Sequence, residues 1–364
     1  MPKKLLYITG TRADWGKIKP LIQAVKDEFD YDIFATGMHT LSLYGETAIE
    51  IEKAGFKYYP FINQDANDSM DTVLSNTIQG LSYYIREHKP DMIVVHGDRV
   101  EALAGACVGA LNNILVAHIE GGELSGTIDG IIRHAVSKLS HVHFTANEES
   151  AQRLFNMGES NVFVIGSPDI DVMMGRLPSL DEVRLKYSID YQNYSIFCYH
   201  PVTSEISELE RNISVVCQAL LESGRDYIII YPNNDTGTDI IMREINKLPF
   251  KKLPSMRFEY FLTLLQFADG IVGNSSAGIR EAPIYGVPTV NIGTRQAGRS
   301  QAPSIINVSE CGFEILKALD DMKPGTKSSQ FGRGNSAKLF VEQLKKPETW
   351  AINTQKVFRD IIAP

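Results

Sequence analysis

At 364 residues the chain exceeds the size at which one hydrophobic core usually stops growing, and its 43% hydrophobic and 22% charged residues are those of a globular enzyme with two domains. The formal net charge of -8, with no basic run to offset it, argues against a nucleic-acid binder held by bulk electrostatics, so an anionic ligand must meet locally placed Arg and Lys. No apolar run approaches membrane-spanning length and LLYITG is too short for a signal peptide; the scattered Cys107, Cys198, Cys217 and Cys311 form neither CxxC pairs nor zinc spacing, and a cytoplasmic protein is expected.

Lys4–Thr9 reads as a first strand, followed by the loop GTRADWGK and an amphipathic helix through KIKPLIQAVKDEF. Gly10, Gly16 and Lys17 suggest a Walker loop, but the spacing is one residue too long and Ile18 stands where Ser or Thr should hold magnesium. Arg12 and Lys17 at a helix N-terminus remain readable as an anion site or as part of an ordinary strand-to-helix turn. YDIFATG then reads as a strand, residues 43–54 as a helix, YYPFI as a strand and Met70–His88 as a helix.

The runs MIVVHG and ILVAHIEG each end in polar groups where a buried parallel strand meets its loop, which is where open α/β sheets bind ligands. Asp98, Glu120 and Asp129 lie at or just past those ends, with Arg99, Arg133, His118 and His134 nearby. Together they make a candidate proton-transfer site; singly, each also reads as a loop residue or helix cap. The helices EALAGACVGAL and IIRHAVSKLS, the strand HVHFTA, the helix Glu148–Asn156 and the strand VFVIG complete a seven-stranded doubly wound parallel sheet.

Across residues 168–193 the pattern loosens, as at a crossing between domains. It restarts with the strand SIFCYHP, the helix SELERNISVVCQALLE, the strand YIIIYPN, a helix over 239–246, the helix FEYFLTLLQFA, the strand GIVGNS, a helix over 277–285 and the strand PTVNIG. Residues 324–335, rich in Gly, Ser and Lys, read as a mobile loop, and PETWAINTQKVFRDIIAP reads as a helix with Trp350, Val357, Phe358 and Ile361 on one face. In GNSSAGIREAP, Ser275 and Ser276 precede a helix and Gly278 permits close backbone approach. The pattern suits a diphosphate but equally an unliganded N-cap. Glu281 reads as a ribose ligand or a solvated first-turn acid, His200 as a cleft-facing or a structural histidine, and Arg295 and Arg299 as nucleotide contacts or loop decoration.

The set TGTRADWG, HGDRVEA, HIEGGELSGTIDGIIRHA, YHP, GNSSAGIREAP and GTRQAGR, in order over residues 5–299, closely resembles the hydrolysing UDP-N-acetylglucosamine 2-epimerases that begin sialic acid synthesis. The resemblance implies an α/β fold of GT-B architecture: two Rossmann-like doubly wound parallel-sheet domains with the active site in the interdomain cleft. With it come a first domain over 1–172 joined by a C-terminal helix over 350–364, and a UDP-binding domain over 173–349. It assigns catalytic carboxylates to Asp98, Glu120 and Asp129, diphosphate or sugar contacts to Arg12, His200, Ser275 and Ser276, and the ribose to Glu281. Arg99, Arg133 and Arg295 fall at ligand-facing positions, His39 near the sugar, and the uracil near Met256, where PSMRF departs from the family pattern.

Neither a metal nor a nicotinamide cofactor is required, and a homodimer or homotetramer is expected from the family. Four other readings stay open: a hydrolysing 2-epimerase of a related sugar such as UDP-diacetylbacillosamine, on the way to legionaminic acid; a non-hydrolysing epimerase; a GT-B glycosyltransferase; and a catalytically silent nucleotide-sugar sensor. The single acid of GTIDGIIRH, in place of paired acids, favours hydrolysis.

Overall fold

A computed structural model describes residues 2–41, 47–65, 68–124, 127–202, 205–232, 237–254, 256–297, 302–357 and 359. The chain forms two compact units, Met1–Gly175 with Gln330–Pro364, and Arg176–Ser329. Among the described residues no helix is long and apolar enough to cross a membrane.

In unit 1 strands and helices alternate: β1 (Lys4–Thr9), α1 (Arg12–Val25), β2 (Asp30–Ala35), α2 (Ile49–Lys53), β3 (Tyr59–Pro60), α3 (Met70–His88), β4 (Met92–His96), α4 (Val100–Leu111), β5 (Leu115–Ile119), α5 (Thr127–Leu139), β6 (Val142–Thr145), α6 (Glu148–Asn156), β7 (Val162–Val164) and α7 (Pro168–Met173). The seven strands pair in parallel in the order β3-β2-β1-β4-β5-β6-β7. Side chains alternate across β1: Leu5 and Tyr7 enter one core with α1, while Leu6 and Ile8 enter another with α3 and α4. Burial on both faces is why the strand reads as an unbroken apolar run.

Unit 2 opens with α8 (Leu180–Tyr187) and continues through β8 (Ser195–Cys198), α9 (Ile206–Glu222), β9 (Tyr227–Ile230), α10 (Thr238–Ile245), β10 (Lys251–Leu253), α11 (Phe258–Gln266), β11 (Gly270–Gly273), α12 (Ala277–Arg280), α13 (Ala282–Tyr285), β12 (Thr289–Ile292), β13 (Ile305–Val308) and α14 (Gly312–Asp321). Its six parallel strands run β10-β9-β8-β11-β12-β13, and Phe197 and Ile196 again face opposite cores. Each unit is a doubly wound, Rossmann-like sheet with helices on both faces, as the sequence pattern predicts.

Several boundaries differ from the sequence expectation. The chain rejoins unit 1 at Gln330 rather than at 350, because α15 (Ser336–Leu344) packs there. Phe340 and Leu344 enter the unit 1 core, and the Asp171 carboxylate caps the helix, accepting from the Ser336 and Ala337 amides at 2.9 and 2.8 Å. Residues 324–335, expected to be a mobile loop, are pinned by backbone bonds: Gly325 and Ser328 donate to Gly286 and Pro283, and the Phe331 carbonyl accepts from the Ser167 amide.

The expected helix over 350–364 is absent from the described residues after α16 (Pro347–Trp350). There Asn353 Oδ1 takes the Gln355 amide at 2.8 Å, a local bond that competes with helix formation, and Lys356 Nζ is drawn to the Lys138 and Ser140 carbonyls at 2.8 and 2.7 Å. Trp350 packs on Phe29, Val357 is exposed, and Phe358 and Ile361 lie outside the described residues. The helix expected over 277–285 divides at Glu281, where Pro283 has no N–H with which to continue the ladder. Of the helix expected over 43–54, α2 forms the last part, and residues 42–46 lie outside the described residues.

Candidate active site

In unit 1 the strand order reverses between β1 and β4, and open α/β sheets bind ligands at the carboxyl ends of strands beside such a reversal. Gly97, at φ 72°, turns the chain out of β4, and His118 on β5 fixes that turn. Its Nε2 donates to the Gly97 carbonyl at 2.8 Å and its Nδ1 accepts from Ser137 Oγ at 3.0 Å. Burial drives the His118 pKa well down, so the ring stays neutral and acts as a buried brace. Asp98 follows the turn, and Arg99 is the N-cap residue of α4.

Glu120 leaves β5 at φ 59°, a left-handed conformation that costs a residue with a Cβ on the order of 1–3 kcal/mol. Its buried carboxylate is held from several sides. Lys17 Nζ donates to both oxygens at 2.6 and 2.8 Å, Ser167 Oγ donates to Oε1, and His96 Nε2 lies 3.2 Å from Oε2. Arg133 on α5 donates to the Glu120 carbonyl at 2.6 Å and also to Asp98 Oδ2, so one guanidinium ties two of the three expected acids together. The third, Asp129, is exposed in the first turn of α5, one helical turn before Arg133. Its side chain borders a cavity of about 330 Å³ with Arg99.

Behind Glu120 lie groups that the sequence reading did not assign to proton transfer. Lys17, readable from sequence as an anion ligand or as part of an ordinary turn, is an ion-pair partner of Glu120 and, at 3.1 Å, of Asp169. The side chain of Thr11 caps α1 by accepting from the Asp14 amide, and Asp14 faces His96 Nδ1 at 3.1 Å. Arg12 is exposed at the first position of α1 with no ion-pair partner among the described residues, so the loop does not gather two cations as an anion site would. The histidine in HGD and the serine in GSPDID were the available signals: His96 ends the buried strand β4, and Ser167 follows β7 at the start of α7.

Burial opposes charge on His96, but Asp14 and Glu120 on its two nitrogens outweigh it and carry the pKa up to about 9 from 6.5. A raised histidine stabilises the fold in full below its unfolded value and loses that contribution as pH rises through the folded value. We therefore expect stability in denaturant to fall as pH rises through about 9, and His96→Gln to flatten that decline. An equal decline in the variant would exclude His96 as its source.

In unit 2 the reversal lies between β8 and β11. Gly273 ends β11 at φ 126°, where a Cβ would lie 2.1 Å from the Cys198 carbonyl oxygen, so only glycine fits this approach to β8. The next residue, Asn274, organises the edge. Its side chain accepts from the His200 amide at 2.6 Å and donates to the His200 carbonyl at 2.8 Å, while its carbonyl accepts from Arg295 at 3.1 Å and Gln296 at 2.8 Å. The structure thereby joins His200, Arg295 and the Ser275–Ser276 turn around an asparagine that the sequence reading passed over in favour of its serines. Burial and the nearby Arg295 hold the His200 pKa to about 4, so the ring is neutral at pH 7. Ser275 Oγ accepts from the Ala277 amide at 3.3 Å, Ser276 is the N-cap residue of α12, and Glu281 is the half-buried junction to α13.

Two expected ligand contacts are otherwise engaged. The His39 ring is fully buried, with Nε2 and Nδ1 each 2.9 Å from the hydroxyls of Thr9 and Thr47, and burial lowers its pKa to about 4. It braces the turn after β2 rather than facing a sugar. At Gly278 a Cβ would lie 2.6 Å from Thr289 Cγ2, so this glycine permits packing of α12 on β12 rather than approach to a phosphate. Met256 packs partly buried on the core beside α11.

The profile of the family described as UDP-N-acetylglucosamine 2-epimerase matches residues 23–345. A Neisseria meningitidis protein named UDP-N-acetylglucosamine 2-epimerase is 46% identical, over 99% of both chains. A Legionella pneumophila protein named UDP-N,N'-diacetylbacillosamine 2-epimerase (hydrolyzing) is 34% identical over 95% of this chain and 96% of its own. Among solved structures, a UDP-GlcNAc 2-epimerase from Neisseria meningitidis bound to UDP-GlcNAc superposes with a TM-score of 0.79 at 20% identity, covering 94% of this chain and 99% of that one, which establishes the shared GT-B type of fold.

Proposed function

The chain belongs to the UDP-N-acetylglucosamine 2-epimerase family, and we propose that within it this protein is a hydrolysing member, turning UDP-N-acetylglucosamine and water into UDP and free N-acetylmannosamine for sialic acid synthesis. The observation that carries the reading is the double grip of Arg133, which binds Asp98 and the Glu120 carbonyl while Asp129 stands one turn away on the same helix. The Asp98 carboxylate on Arg133, the Glu120 carboxylate on Lys17 and His96, and Asp129 one turn before Arg133 give three acids at one sheet edge, which suit proton removal at one face of a carbon and proton delivery at another.

The proposed reaction begins at C2, whose hydrogen is not acidic because no carbonyl adjoins it. A carboxylate takes that proton as the C1–O bond to UDP breaks, and the electron pair becomes the C1–C2 double bond of 2-acetamidoglucal. Hydrogen-bond donors around the departing diphosphate lower the same barrier. Arg295 and the Ser275 and Ser276 hydroxyls of unit 2 are suited to this task, with Glu281 for the ribose; Arg12 and Arg99 of unit 1 are further candidates. Water then adds at C1 while an acid protonates C2 from the opposite face, giving the manno configuration and releasing UDP. A neutral His200 can donate a hydrogen bond to an anion through its single N–H without carrying a positive charge.

Support for a UDP-sugar ligand comes from the Neisseria relative of known structure, which is bound to UDP-GlcNAc. Support for hydrolysis comes from the Legionella relative, whose name also keeps a diacetylated sugar as the second reading. The expected result is that purified protein in deuterated water releases UDP and free N-acetylmannosamine carrying deuterium at C2, read by NMR. Release of unlabelled sugar would mean plain hydrolysis, and recovery of a UDP-linked epimer would mean a non-hydrolysing enzyme. Running several UDP-sugars in parallel identifies the preferred one.

A further inference from the structure

Beside the Glu120 network, unit 1 holds an acid that the proposed chemistry leaves unused. Glu101 lies in the first turn of α4 and is 2% exposed. Its Oε2 accepts from Arg99 Nε at 3.2 Å, whereas its Oε1 is buried and has no hydrogen-bond partner among the described residues. A buried acceptor left open is unfavourable and calls for a reason.

The surrounding backbone is cut to fit this carboxyl. A Cβ on Gly10, after β1, would lie 2.8 Å from its Cδ, and one on Gly37, after β2, would lie 2.3 Å from Oε1. Two other segments at the carboxyl edge of the sheet thus close on this acid, each by lacking a side chain. Burial raises the Glu101 pKa, with Arg99 drawing it back only in part, so this carboxyl carries a proton more readily than an exposed glutamate. Glu101 also borders the cavity of about 330 Å³ shared by Asp129 and Arg99, which Met38, Leu41 and Val73 line as well. A cavity of that size, lined by both apolar and polar side chains, suits a single sugar residue with an acetamido methyl.

We propose that Glu101 is a specificity-determining residue of the sugar site, its carboxyl hydrogen-bonding a ring hydroxyl of the hexosamine. The inference rests on the reading of the protein as a UDP-hexosamine enzyme and adds a sugar contact to it. A carboxyl poised for a hydroxyl discriminates against sugars that lack it, because the mismatched sugar leaves the acceptor buried and unpaired.

The test is calorimetric binding of UDP-N-acetylglucosamine, of UDP alone and of UDP-linked mono-deoxy analogues to the full chain and to Glu101→Ala. Losing one hydrogen bond to a carboxyl should weaken UDP-N-acetylglucosamine about 10- to 100-fold, leave UDP within about two-fold, and cost nothing for the analogue lacking the contacted hydroxyl. Glu101→Asp, which withdraws the oxygen by one methylene, should shift affinity in the same direction and serves if the alanine variant does not fold. Equal weakening of UDP and UDP-sugar, or no weakening in either variant, would overturn the proposal. Turnover is read separately: a protein that binds the sugar through Glu101 yet releases no free N-acetylmannosamine sinks the hydrolysing reading alone. Normal turnover with affinity indifferent to Glu101 sinks only this contact, and a wild-type chain that does not bind UDP-N-acetylglucosamine sinks both.

Discussion

Glu120→Gln and Asp98→Asn should each lower kcat about 100- to 10,000-fold while leaving the affinity for UDP within a few-fold. Both substitutions keep shape and remove a proton acceptor. At Glu120 the amide is also a poor replacement for the carboxylate, since one end of it cannot accept from Lys17, Ser167 and His96 as two carboxylate oxygens do. At Asp98 the loss is of the anion that Arg133 holds, and the guanidinium that also binds the Glu120 carbonyl is then free to turn. The two effects should be strongly non-additive, because Arg133 joins the residues into one unit. Steady-state kinetics on the single and double variants, with UDP binding followed by calorimetry, checks this. Near-normal rates in both single variants would remove the proton-transfer role assigned to this cluster.

The sheets and the acids at their edges were legible in the sequence for a physical reason. Strands buried on both faces are written as continuous apolar runs, so MIVVHG and ILVAHIEG mark their own ends, and Asp98 and Glu120 follow those ends directly. The edge strands of unit 2 carry a weaker signal than its interior strands: β10 is KKL and β13 is IINV, both partly exposed, and both were missed, whereas the unit 1 edge strands stood out as YYPFI and VFVIG. Contacts between distant positions were also hidden. Lys17 and Glu120 are far apart in sequence, and a lysine after a glycine turn resembles a phosphate ligand until the partner is seen. His39 likewise looked free within GMHTLSLYG, because nothing local announces that Thr9 from a neighbouring strand will take its ring nitrogen. Glu101 was in view inside HGDRVEA, but its significance depends on two glycines contributed by other loops.

Lys17→Met tests whether the network behind Glu120 supports the fold as well as the chemistry. Lys17 lies 2.6 Å from Glu120 and 3.1 Å from Asp169, and both carboxylate side chains are almost wholly buried. Replacing the ammonium with a thioether of similar length preserves packing but leaves two buried anions with less compensation. Breaking such a pair from one side costs about 3–5 kcal/mol, well beyond the 0–1 kcal/mol typical of an exposed ion pair. The cost should also depend on pH in a definite direction. A buried carboxylate deprived of its cation takes up a proton rather than stay charged, so the variant's native state binds more protons than its unfolded chain, and its deficit shrinks as pH falls. Denaturant unfolding of both proteins at about pH 8 and about pH 5.5 should therefore show a large deficit at the higher pH and a clearly smaller one at the lower. A deficit below about 1 kcal/mol at both values would mean that Lys17 behaves as a surface lysine, and that the left-handed backbone at Glu120 is held in place by other groups.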